Sequence, residues 1–260
     1  MKTISVCIVA CNEAGEIGEC LEGLSWADEI VVVVAGGNEE VLDKCRKFTD
    51  RVLQVENRLN PNENKNQAFS MATGEWILCL DPDERVTGEL KEEIIAVIER
   101  EDPGVSGFVM PRKNYYFGNW LRYGGSYPDR QLRLFKREKG AFPCEHIHER
   151  LSVRGKLGSL KNPLIHYTYR SIAHYFEKLD FKTDFEAENL YKSGIRPGFI
   201  MALRLTLIEP FIRFFRRYVL KGGFLNGWTG FIACALDWVS YLVRYEKLTE
   251  LSRSREEIDF

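Results

Sequence analysis

The 260-residue sequence predicts an α/β fold in which a mostly parallel sheet is followed by a helical C-terminal extension. Two observations carry this prediction. In the first third of the chain, short β-branched runs alternate with segments of helical apolar spacing, which is typical of a parallel sheet with right-handed crossovers. From Ile172 onward the apolar spacing is helical to the end.

The first third predicts strands and helices in the order βαβαβαβ. The predicted strands are Ile4–Ala10, residues 29–34, Val52–Val55 and Trp76–Leu80. The first helix has apolar residues at positions 17, 20, 21 and 24, and Asn12 is its expected N-cap. The second helix runs through Val41, Leu42 and Cys45, and the third covers residues 63–72.

A fourth helix, with Leu90, Ile94 and Ile98 on one face, closes this section before an expected boundary at residues 102–104. The segment 105–170 predicts short strands at 107–111, 132–135 and 164–167. Its aromatic stretch, residues 115–120, predicts a loop that could stack on a sugar or fill a cleft. The helical extension has Gly/Pro breaks at 193–198 and 222–230.

Residues 197–220 predict a helix that is apolar on most sides, with a narrow polar stripe that contains several arginines. Charged residues and Pro210 interrupt it, and the other apolar segment, 227–243, is shorter than the roughly 20 residues that a membrane span needs. No membrane span is therefore predicted. An inner-leaflet membrane surface, a second copy of the chain and the protein's own core all remain open as its cover, and the arginines favour the membrane surface.

Composition and charge exclude several classes of protein. A hydrophobic content of 45% with 9 Pro and 21 Gly excludes a disordered or collagen-like chain. The net charge of −2 argues against a nucleic-acid binder. Residues 1–104 contain 22 Asp and Glu against 10 Lys and Arg, whereas the remainder contains 16 against 26. An acidic first part suits a metal site and a basic second part suits anionic lipid or a phosphorylated acceptor, although solvated faces explain such an imbalance equally well.

The seven cysteines form no CxxC pair, which indicates reduced thiols and a cytoplasmic location. The apolar run at the N-terminus is too short for a signal peptide and is better explained as the first strand.

Three polar segments follow predicted strands of the parallel sheet: residues 11–13, 35–39 and 81–84. Parallel sheets bind ligands beyond the carboxyl ends of their strands, so these segments are expected to converge on one edge. Asp81 and Asp83 offer the oxygen ligands that Mg²⁺ or Mn²⁺ prefers, and such a cation could anchor a diphosphate. The alternative is an acidic turn of the kind that is common between a strand and a helix.

Residues 144–149 concentrate two histidines and two glutamates. In an extended chain His146 and His148 point to one side, and Glu145 and Glu149 point to the other. One side could ligate a metal while the other presents a carboxylate base. The alternative is a loop in which a histidine is only hydrogen-bonded.

Several cations could meet phosphate groups, notably Lys65 and Arg133. Each cation taken singly is also explained as a surface residue, and Arg133 is the least ordinary because it lies inside a strand pattern. His166, at a strand end, is more typical of a hydrogen-bonded core or loop histidine than of a ligand.

Four segments, IVACNEAGEIGECL, KNQAFSMATGEWILCLDPDERV, RQLRLFKR and IHE, occur in this order. Together they resemble the family 2 glycosyltransferases of GT-A fold, which have a Rossmann-like sheet, and more narrowly the bacterial lipopolysaccharide core glucosyltransferases. The resemblance covers nearly the whole chain, including GGFLNGWTGF in the helical tail.

This resemblance implies the inverting transfer of a sugar, expected to be a hexose, from a nucleoside-diphosphate donor with Mg²⁺ or Mn²⁺. The donor is expected to be a UDP-sugar, and the acceptor a hydroxyl of a lipopolysaccharide core, or of a related glycan or glycolipid. It also implies that residues 1–104 bind the nucleotide sugar, that 105–170 bind the acceptor and catalyse, and that 171–260 form a membrane-surface or oligomer-forming extension.

The resemblance also assigns roles to single residues. The implied nucleotide-sugar contacts are Asn12, Glu13, Glu39, Lys65, Asp81 and Arg133. Asp83 of the DxD element is the implied metal ligand, with His148 helping to hold the metal or the diphosphate. Glu149 is the implied catalytic base, with Glu145 as the second candidate.

One position departs from the family pattern. Val34 stands where the family usually has an aspartate that recognises the nucleobase, and a valine side chain cannot accept a hydrogen bond. The expectation of a UDP donor is weakened as a result. A catalytically impaired scaffold that binds nucleotide or membrane, and a glycosyltransferase that modifies proteins, remain alternatives. A nucleotidyltransferase is disfavoured because residues 11–18 lack a basic phosphate loop.

Overall fold

The computed structural model of the chain describes residues 2–56, 61–100, 102–144 and 150–258. The strands within these residues are β1 (Ile4–Ala10), β2 (Glu29–Ala35), β3 (Val52–Val55), β4 (Trp76–Leu80), β5 (Glu84–Arg85), β6 (Val105–Tyr116), β7 (Asn119–Trp120), β8 (Asp129–Lys136), β9 (Gly140–Ala141), β10 (Ser152–Val153), β11 (Lys156–Ser159) and β12 (Leu164–Tyr169). The α-helices are α1 (Ala14–Glu22), α2 (Glu39–Arg46), α3 (Pro61–Met71), α4 (Gly88–Arg100), α5 (Ile172–Lys192), α6 (Phe199–Leu203), α7 (Glu209–Phe214) and α8 (Gly227–Ile258).

The main sheet has the strand order β3-β2-β1-β4-β8-β6-β12-β5. Strands β1 to β4 pair in parallel, which confirms the predicted βαβαβαβ unit. Beyond β4 the sheet is mixed, because β8 pairs antiparallel with both β4 and β6, whereas β11 pairs in parallel with β6. The predicted α/β class with a helical C-terminal region is confirmed.

Strands β1, β2 and β4 are almost entirely apolar because both faces of the sheet are covered there. On β1, Val6 and Ile8 point into a core with α1, α2 and α4, whereas Cys7 points into a second core with Phe69 of α3. Each of these strand side chains is at most 1% exposed. Such double coverage explains why the strands have no alternation of polar and apolar residues.

The start of α1 differs from the prediction. The N-cap position is Glu13 rather than Asn12, and no side chain caps the helix. The Glu13 carboxylate instead accepts hydrogen bonds from the backbone N–H groups of Cys11 and Asn12, at 2.6 and 3.0 Å. The Glu13 carboxylate therefore stabilises the loop between β1 and α1 and does not cap the helix.

The predicted aromatic loop at residues 115–120 is wrong, because this stretch forms a β-hairpin between β6 and β7. Tyr115 pairs with Trp120 and Tyr116 with Asn119. The two turn residues, Phe117 and Gly118, both have positive φ, of 52° and 79°. Two consecutive positive φ angles match the right-handed twist of the flanking strands, so this turn continues the sheet instead of leaving it.

The chain divides by its internal contacts into two compact units. Unit 1 comprises residues 1–112 and 129–166, and unit 2 comprises residues 113–128 and 167–260. The segment 105–170 is thus shared between the units. The functional roles that the resemblance gives to residues 1–104, 105–170 and 171–260 stay predictions.

In unit 2, α5 packs on α8, and residues 199–220 form one continuous helical segment. This segment contains α6 and α7 together with π-helical turns at Arg204–Ile208 and Phe215–Leu220. Pro210 has no N–H to donate to the carbonyl of Thr206, and the indole N–H of Trp238 donates to that carbonyl instead, at 3.0 Å. The wide turn beside Pro210 is therefore stabilised by α8.

All seven cysteines are free, as the sequence predicts. Within the described ranges, no helix is both long and apolar enough to span a membrane.

Candidate active site

The candidate site lies in unit 1, where the strand order of the parallel sheet reverses between β1 and β4. Residues 11–13 follow β1 and Asp81 follows β4, so both reach the same edge of the sheet. Asn38, at the end of the loop after β2, is joined to this edge because its amide lies 3.5 Å from the amide oxygen of Asn12. The predicted convergence of the three segments is confirmed, and it occurs at the position where open α/β sheets bind ligands.

The acidic turn after β4 is closed on itself by Glu84. The Glu84 N–H donates to the carbonyl of Asp81, and the Glu84 carboxylate accepts the Asp81 N–H, both at 3.0 Å. Arg85 donates to the carbonyl of Pro82 at 2.7 Å and to that of Glu16 in α1 at 2.9 Å. The turn that presents Asp81 and Asp83 is thus held in one conformation before any ligand binds.

Asp81 contacts two cations, Lys65 and Arg133, and all three residues are among the implied nucleotide-sugar contacts. Lys65 Nζ lies 2.7 Å from one carboxylate oxygen, and Arg133 Nη2 contacts the other. Burial alone would raise the pKa of Asp81, but the charges of Arg133 and Lys65 outweigh it and hold that pKa well below its ordinary value. The pKa of Lys65 is raised by Asp81 despite the opposing effect of burial. All three side chains are consequently charged near neutral pH.

Sequence reasoning missed the roles of Glu84 and Arg112 beneath this cluster. Glu84 is completely buried and accepts from Arg133 at 2.7 Å and from Arg112 at 3.0 Å. Arg112 also pairs with Asp129 at 2.7 Å. A glutamate at the start of one strand and arginines within two other strands are the signal in the sequence from which this network could have been predicted. Only the pairing of β6 with β8 brings the two arginines together.

Asp83, the implied metal ligand, faces a histidine. His166 Nε2 lies 3.3 Å from a carboxylate oxygen of Asp83, and both side chains are nearly buried. The antiparallel pairing of β12 with β5 puts His166 opposite Glu84 and so beside the acidic turn. The interpretation of His166 as a hydrogen-bonded histidine agrees with this contact, but the contact also offers a carboxylate and an imidazole side by side.

This donor pair fits a divalent cation that completes its shell from elsewhere. Carboxylate oxygen and imidazole nitrogen are both accepted by Mn²⁺, and a diphosphate and water supply the remaining oxygens in sites of this type. Across the ranges that the structure describes, no group of three or more His, Cys, Asp or Glu side chains forms a complete metal site. The protein's own share of such a site in this region is Asp83 with His166.

The other implied nucleotide contacts lie on the rim of this edge. Asn12 is exposed, Glu13 is held by the loop that follows β1, and Glu39 is exposed at the start of α2. Val34 is completely buried in β2 and faces the core of α1 and α2. Position 34 therefore offers no hydrogen-bonding side chain at this edge, where the amides of Asn12 and Asn38 contact each other.

A cavity of about 700 Å³ opens beside Asp81. Five basic side chains and two acidic ones contribute to its lining; these are Lys65, Arg112, Arg130, Arg133, Arg150, Asp81 and Asp129. The excess of positive charge suits a polyanionic ligand such as a diphosphate. The volume suits a ligand of nucleotide-sugar size.

Glu145, His148 and Glu149 fall on residues 145–149, which lie outside the described residues. The chain on both sides of this segment is described. Asn66 of α3 binds the backbone of Phe142 twice, at 2.8 and 2.9 Å, and Phe142 and Arg150 both line the cavity. Described residues on both sides of the segment with the predicted base therefore line the cavity.

Comparison with known proteins supports an assignment of the chain to a family. The sequence profile of Glycosyl transferase family 2 matches residues 5–155, which include the acidic turn and both cations of the cluster. An uncharacterized glycosyltransferase of Rickettsia typhi is 25% identical over 274 residues and covers 97% of this chain and 88% of its own length. One from Rickettsia prowazekii is 24% identical over 279 residues, with coverages of 99% and 90%.

Among solved structures, the fold is similar to that of a mannosyltransferase from Pyrobaculum calidifontis, which was solved with GDP-mannose and Mn²⁺. The two chains share 14% identity with a TM-score of 0.51, over 95% of this chain and 87% of the other. The similarity concerns the fold, and it agrees with the predicted GT-A architecture.

Proposed function

The chain belongs to glycosyl transferase family 2, and we propose from this that it transfers a sugar from a nucleoside-diphosphate donor to a hydroxyl group, with inversion at the anomeric carbon. The observation that carries the proposal is the cationic cavity beside a fixed acidic turn, at the edge of the sheet where the strand order reverses. A diphosphate needs the cations, and a sugar hydroxyl or a metal ion needs the carboxylates.

In this proposal the donor diphosphate lies against Lys65 and Arg133. These cations are already paired with Asp81 and Glu84, so the diphosphate shares them instead of meeting free charges. Arg130 and Arg150 add positive charge to the same cavity without a carboxylate partner within hydrogen-bonding distance in the described chain. The nucleoside then extends toward Asn12, Glu13 and Glu39.

We assign Asp83 and His166, together with His148 of the undescribed segment, to Mg²⁺ or Mn²⁺. Such a cation would offset the negative charge that develops on the departing diphosphate. The protein's contribution is to fix Asp83 through the closed turn and His166 through the pairing of β12 with β5. Neither side chain then needs to reorganise when the donor binds.

The catalytic base is assigned to Glu149, with Glu145 as the alternative. The carboxylate accepts the proton of the acceptor hydroxyl while the oxygen bonds to C1 from the face opposite the diphosphate. The bond from C1 to the diphosphate oxygen breaks in the same step, and the nucleoside diphosphate leaves with the bonding electrons. Inversion follows because one displacement occurs at C1.

The finer parts of the proposal concern the donor and the acceptor. We propose a hexose donor, with UDP as its expected nucleotide, and an acceptor in a lipopolysaccharide core or a related glycan. Val34 is buried and supplies no carboxylate at its position. A catalytically impaired scaffold that still binds nucleotide is therefore the alternative function. A protein-modifying transferase would share the donor site and would differ only in its acceptor.

The proposal is tested by thermal unfolding with a panel of nucleoside diphosphates and nucleotide sugars, with and without Mn²⁺. A ligand at 100 times its dissociation constant adds about 2.7 kcal/mol to stability. We expect one nucleotide to stabilise the protein in the presence of Mn²⁺, and Asp83→Asn to lose this effect. Asp50→Asn, an exposed aspartate in the turn before β3, is the matched control. Stabilisation that is unchanged in Asp83→Asn would contradict the metal assignment.

The choice of base is tested by Glu149→Gln. The variant should keep donor-induced stabilisation and lose about 10²–10⁴-fold in transfer rate, which is the usual contribution of a general base. An active Glu149→Gln together with an inactive Glu145→Gln would move the assignment to Glu145. If both variants keep their transfer activity, neither residue is the base.

A further inference from the structure

The helical segment 199–220 of unit 2 has an apolar face that no part of its own unit covers. We call this face the ridge and define it by six side chains that are each 43–85% exposed. They are Phe199, Ile200, Leu203, Leu207, Phe211 and Phe215. Beyond Gly222 the exposed apolar surface continues with Phe224 and Trp228, the latter 73% exposed. An apolar surface of this extent on a single chain marks an interaction site.

The ridge is one side of a helix whose other side is already packed. Leu205 is only 3% exposed, and the ring of Phe214 contacts those of Phe231 and Trp238 of α8. The segment is therefore apolar nearly all round its circumference. A helix of this kind is normally covered on every side. Among the described residues of unit 2, α8 and α5 cover the side with Leu205 and Phe214, and the ridge side chains stay exposed.

The charge around the ridge is strongly positive. Residues 199–228 contain five Lys and Arg and one acidic residue, Glu209. Glu209 pairs with Arg204 at 2.8 Å, and Asp237 of α8 pairs with Arg213. Arg216 and Lys221 are exposed, and within the described chain neither has a carboxylate partner. Two exposed cations thus stand next to the ridge in the sequence and are accessible to external anions.

This charge pattern separates two possible covers of the ridge. A second copy of the chain would bring a patch with the same net positive charge against this one, and the meeting of two like-charged patches is unfavourable. An anionic bilayer has the complementary arrangement, with acyl chains for the aromatic and aliphatic groups and phosphates for the cations. Helices that lie in a membrane interface combine these same features, with Trp and Phe on one side and Lys or Arg beside them.

We propose that the ridge binds the surface of a bilayer that contains anionic lipid. The ridge side chains enter the boundary between headgroups and acyl chains, and Arg216 and Lys221 contact headgroup phosphates. The helical segment lies along the surface and does not cross the membrane. This inference is independent of the proposed transfer reaction, because lipid binding needs neither donor nor catalytic base.

The electrostatic part is tested with the full chain in vesicle flotation. Vesicles of phosphatidylcholine mixed with phosphatidylglycerol should retain the protein, retention should fall as salt is raised, and pure phosphatidylcholine should retain less. Arg216→Glu combined with Lys221→Glu should weaken binding to the mixed vesicles at least about tenfold. Arg253→Glu, the same charge change at an exposed site on α8, is the matched control and should bind as the wild type does.

The apolar part is tested by Phe199→Ser combined with Ile200→Ser, which should also release the protein from mixed vesicles. Phe181→Ser, at a 70% exposed position on α5, is the control. Thermal unfolding of each variant shows whether its fold is retained; these exposed positions make loss of the fold unexpected.

The proposal would be overturned if the wild type floated with neither kind of vesicle, or if the ridge variants bound vesicles as tightly as the wild type. It would also be overturned if the protein did not bind vesicles but sedimented as a dimer that the combined Phe199→Ser and Ile200→Ser substitutions dissociate. The last outcome would identify a second copy of the chain as the cover of the ridge.

Discussion

Arg133 is the residue on which the arrangement of the candidate site depends most. Its guanidinium contacts Asp81 on the acidic turn and the buried Glu84 at 2.7 Å, and its side chain is only 8% exposed. Arg133 therefore links Asp81, which lines the cavity, to Glu84, which stabilises the acidic turn. The Nε of Arg133 is buried without a hydrogen-bond acceptor, so its stabilising effect comes from the two carboxylates.

Arg133→Met should lower the free energy of unfolding by about 1–3 kcal/mol, because Asp81 and Glu84 each lose one of two cationic partners and keep the other, Lys65 or Arg112. Arg130→Met is the matched control on the same strand, since Arg130 is exposed and its guanidinium donates to the hydroxyl of Ser159. The control should change stability by no more than about 0.5 kcal/mol. Urea unfolding of the three proteins measures both values. Equal stability of Arg133→Met and wild type would contradict a structural role for the network.

At this scale, sequence reasoning named Lys65, Asp81 and Arg133 as nucleotide-sugar contacts, which stays a prediction, although their side chains do meet in the structure. It did not identify Glu84 and Arg112 as the support. Their contacts depend on which strands become neighbours, and β8 lies between β4 and β6 although β6 comes first in the chain. Local periodicity contains no information on that order.

Among the elements, the edge of the sheet opposite the candidate site depends on Glu29 at the start of β2. Its carboxylate accepts from the hydroxyl of Ser5 on β1, from the N–H of Thr73 at 2.8 Å, and from Arg51 at 2.8 Å. Burial would by itself raise the pKa of Glu29, but these hydrogen bonds and the charge of Arg51 hold it below its ordinary value. The carboxylate thus ties β1 and β2 to the turn that precedes β4.

Glu29→Gln should lower the free energy of unfolding by about 1–3 kcal/mol at neutral pH. A depressed pKa stabilises the folded state above the pKa of the unfolded chain, about 4.3 for a glutamate, and this contribution is lost as pH falls through the folded-state value. The difference between wild type and Glu29→Gln should therefore shrink below about pH 4.

Glu75→Gln, which affects only the exposed pair with Lys2, is the control for this prediction. Surface pairs contribute about 0–1 kcal/mol, so little change is expected. A difference between wild type and Glu29→Gln that stays constant from neutral to acidic pH would show that the charge of Glu29 has no part in its effect.

The elements themselves were predicted unevenly. The boundaries of β1, β3 and β4 agree with the sequence prediction. For β1 and β4 the reason is that buried parallel strands are nearly continuous apolar runs, whereas β3 is an edge strand with an exposed Gln54. The hairpin at Phe117 and Gly118 was not predicted, since phenylalanine is not a residue that signals a tight turn. The π-helical turns of residues 199–220 were not predicted either, and neither was the contact of Trp238 with the carbonyl of Thr206, which joins residues far apart in the sequence.

At the scale of the whole molecule, the α/β class and the helical extension were predictable, whereas the division into two units was not. Residues 113–128 belong to unit 2 because they bind its helical region. The N–H of Gly124 donates to the carbonyl of Lys221 at 3.0 Å, and the side chain of Asn226 accepts the N–H of Arg122 at 2.9 Å. These partners are about a hundred residues apart in the sequence, so no local pattern predicts them.

The central claim is that unit 1 uses its cationic cavity and acidic turn to transfer a sugar from a nucleotide donor. The most direct measurement is the release of nucleoside diphosphate from a panel of nucleotide sugars, with Mn²⁺ or Mg²⁺, and with a bacterial glycolipid extract as the source of acceptors. The account predicts release from one donor that requires the cation, disappears in Asp83→Asn and persists in Asp50→Asn. If the protein bound a nucleotide but released no nucleoside diphosphate from any donor under any acceptor condition, a sugar-transfer function would be contradicted. The catalytically impaired scaffold, which the absence of a carboxylate at Val34 suggests, would then be favoured.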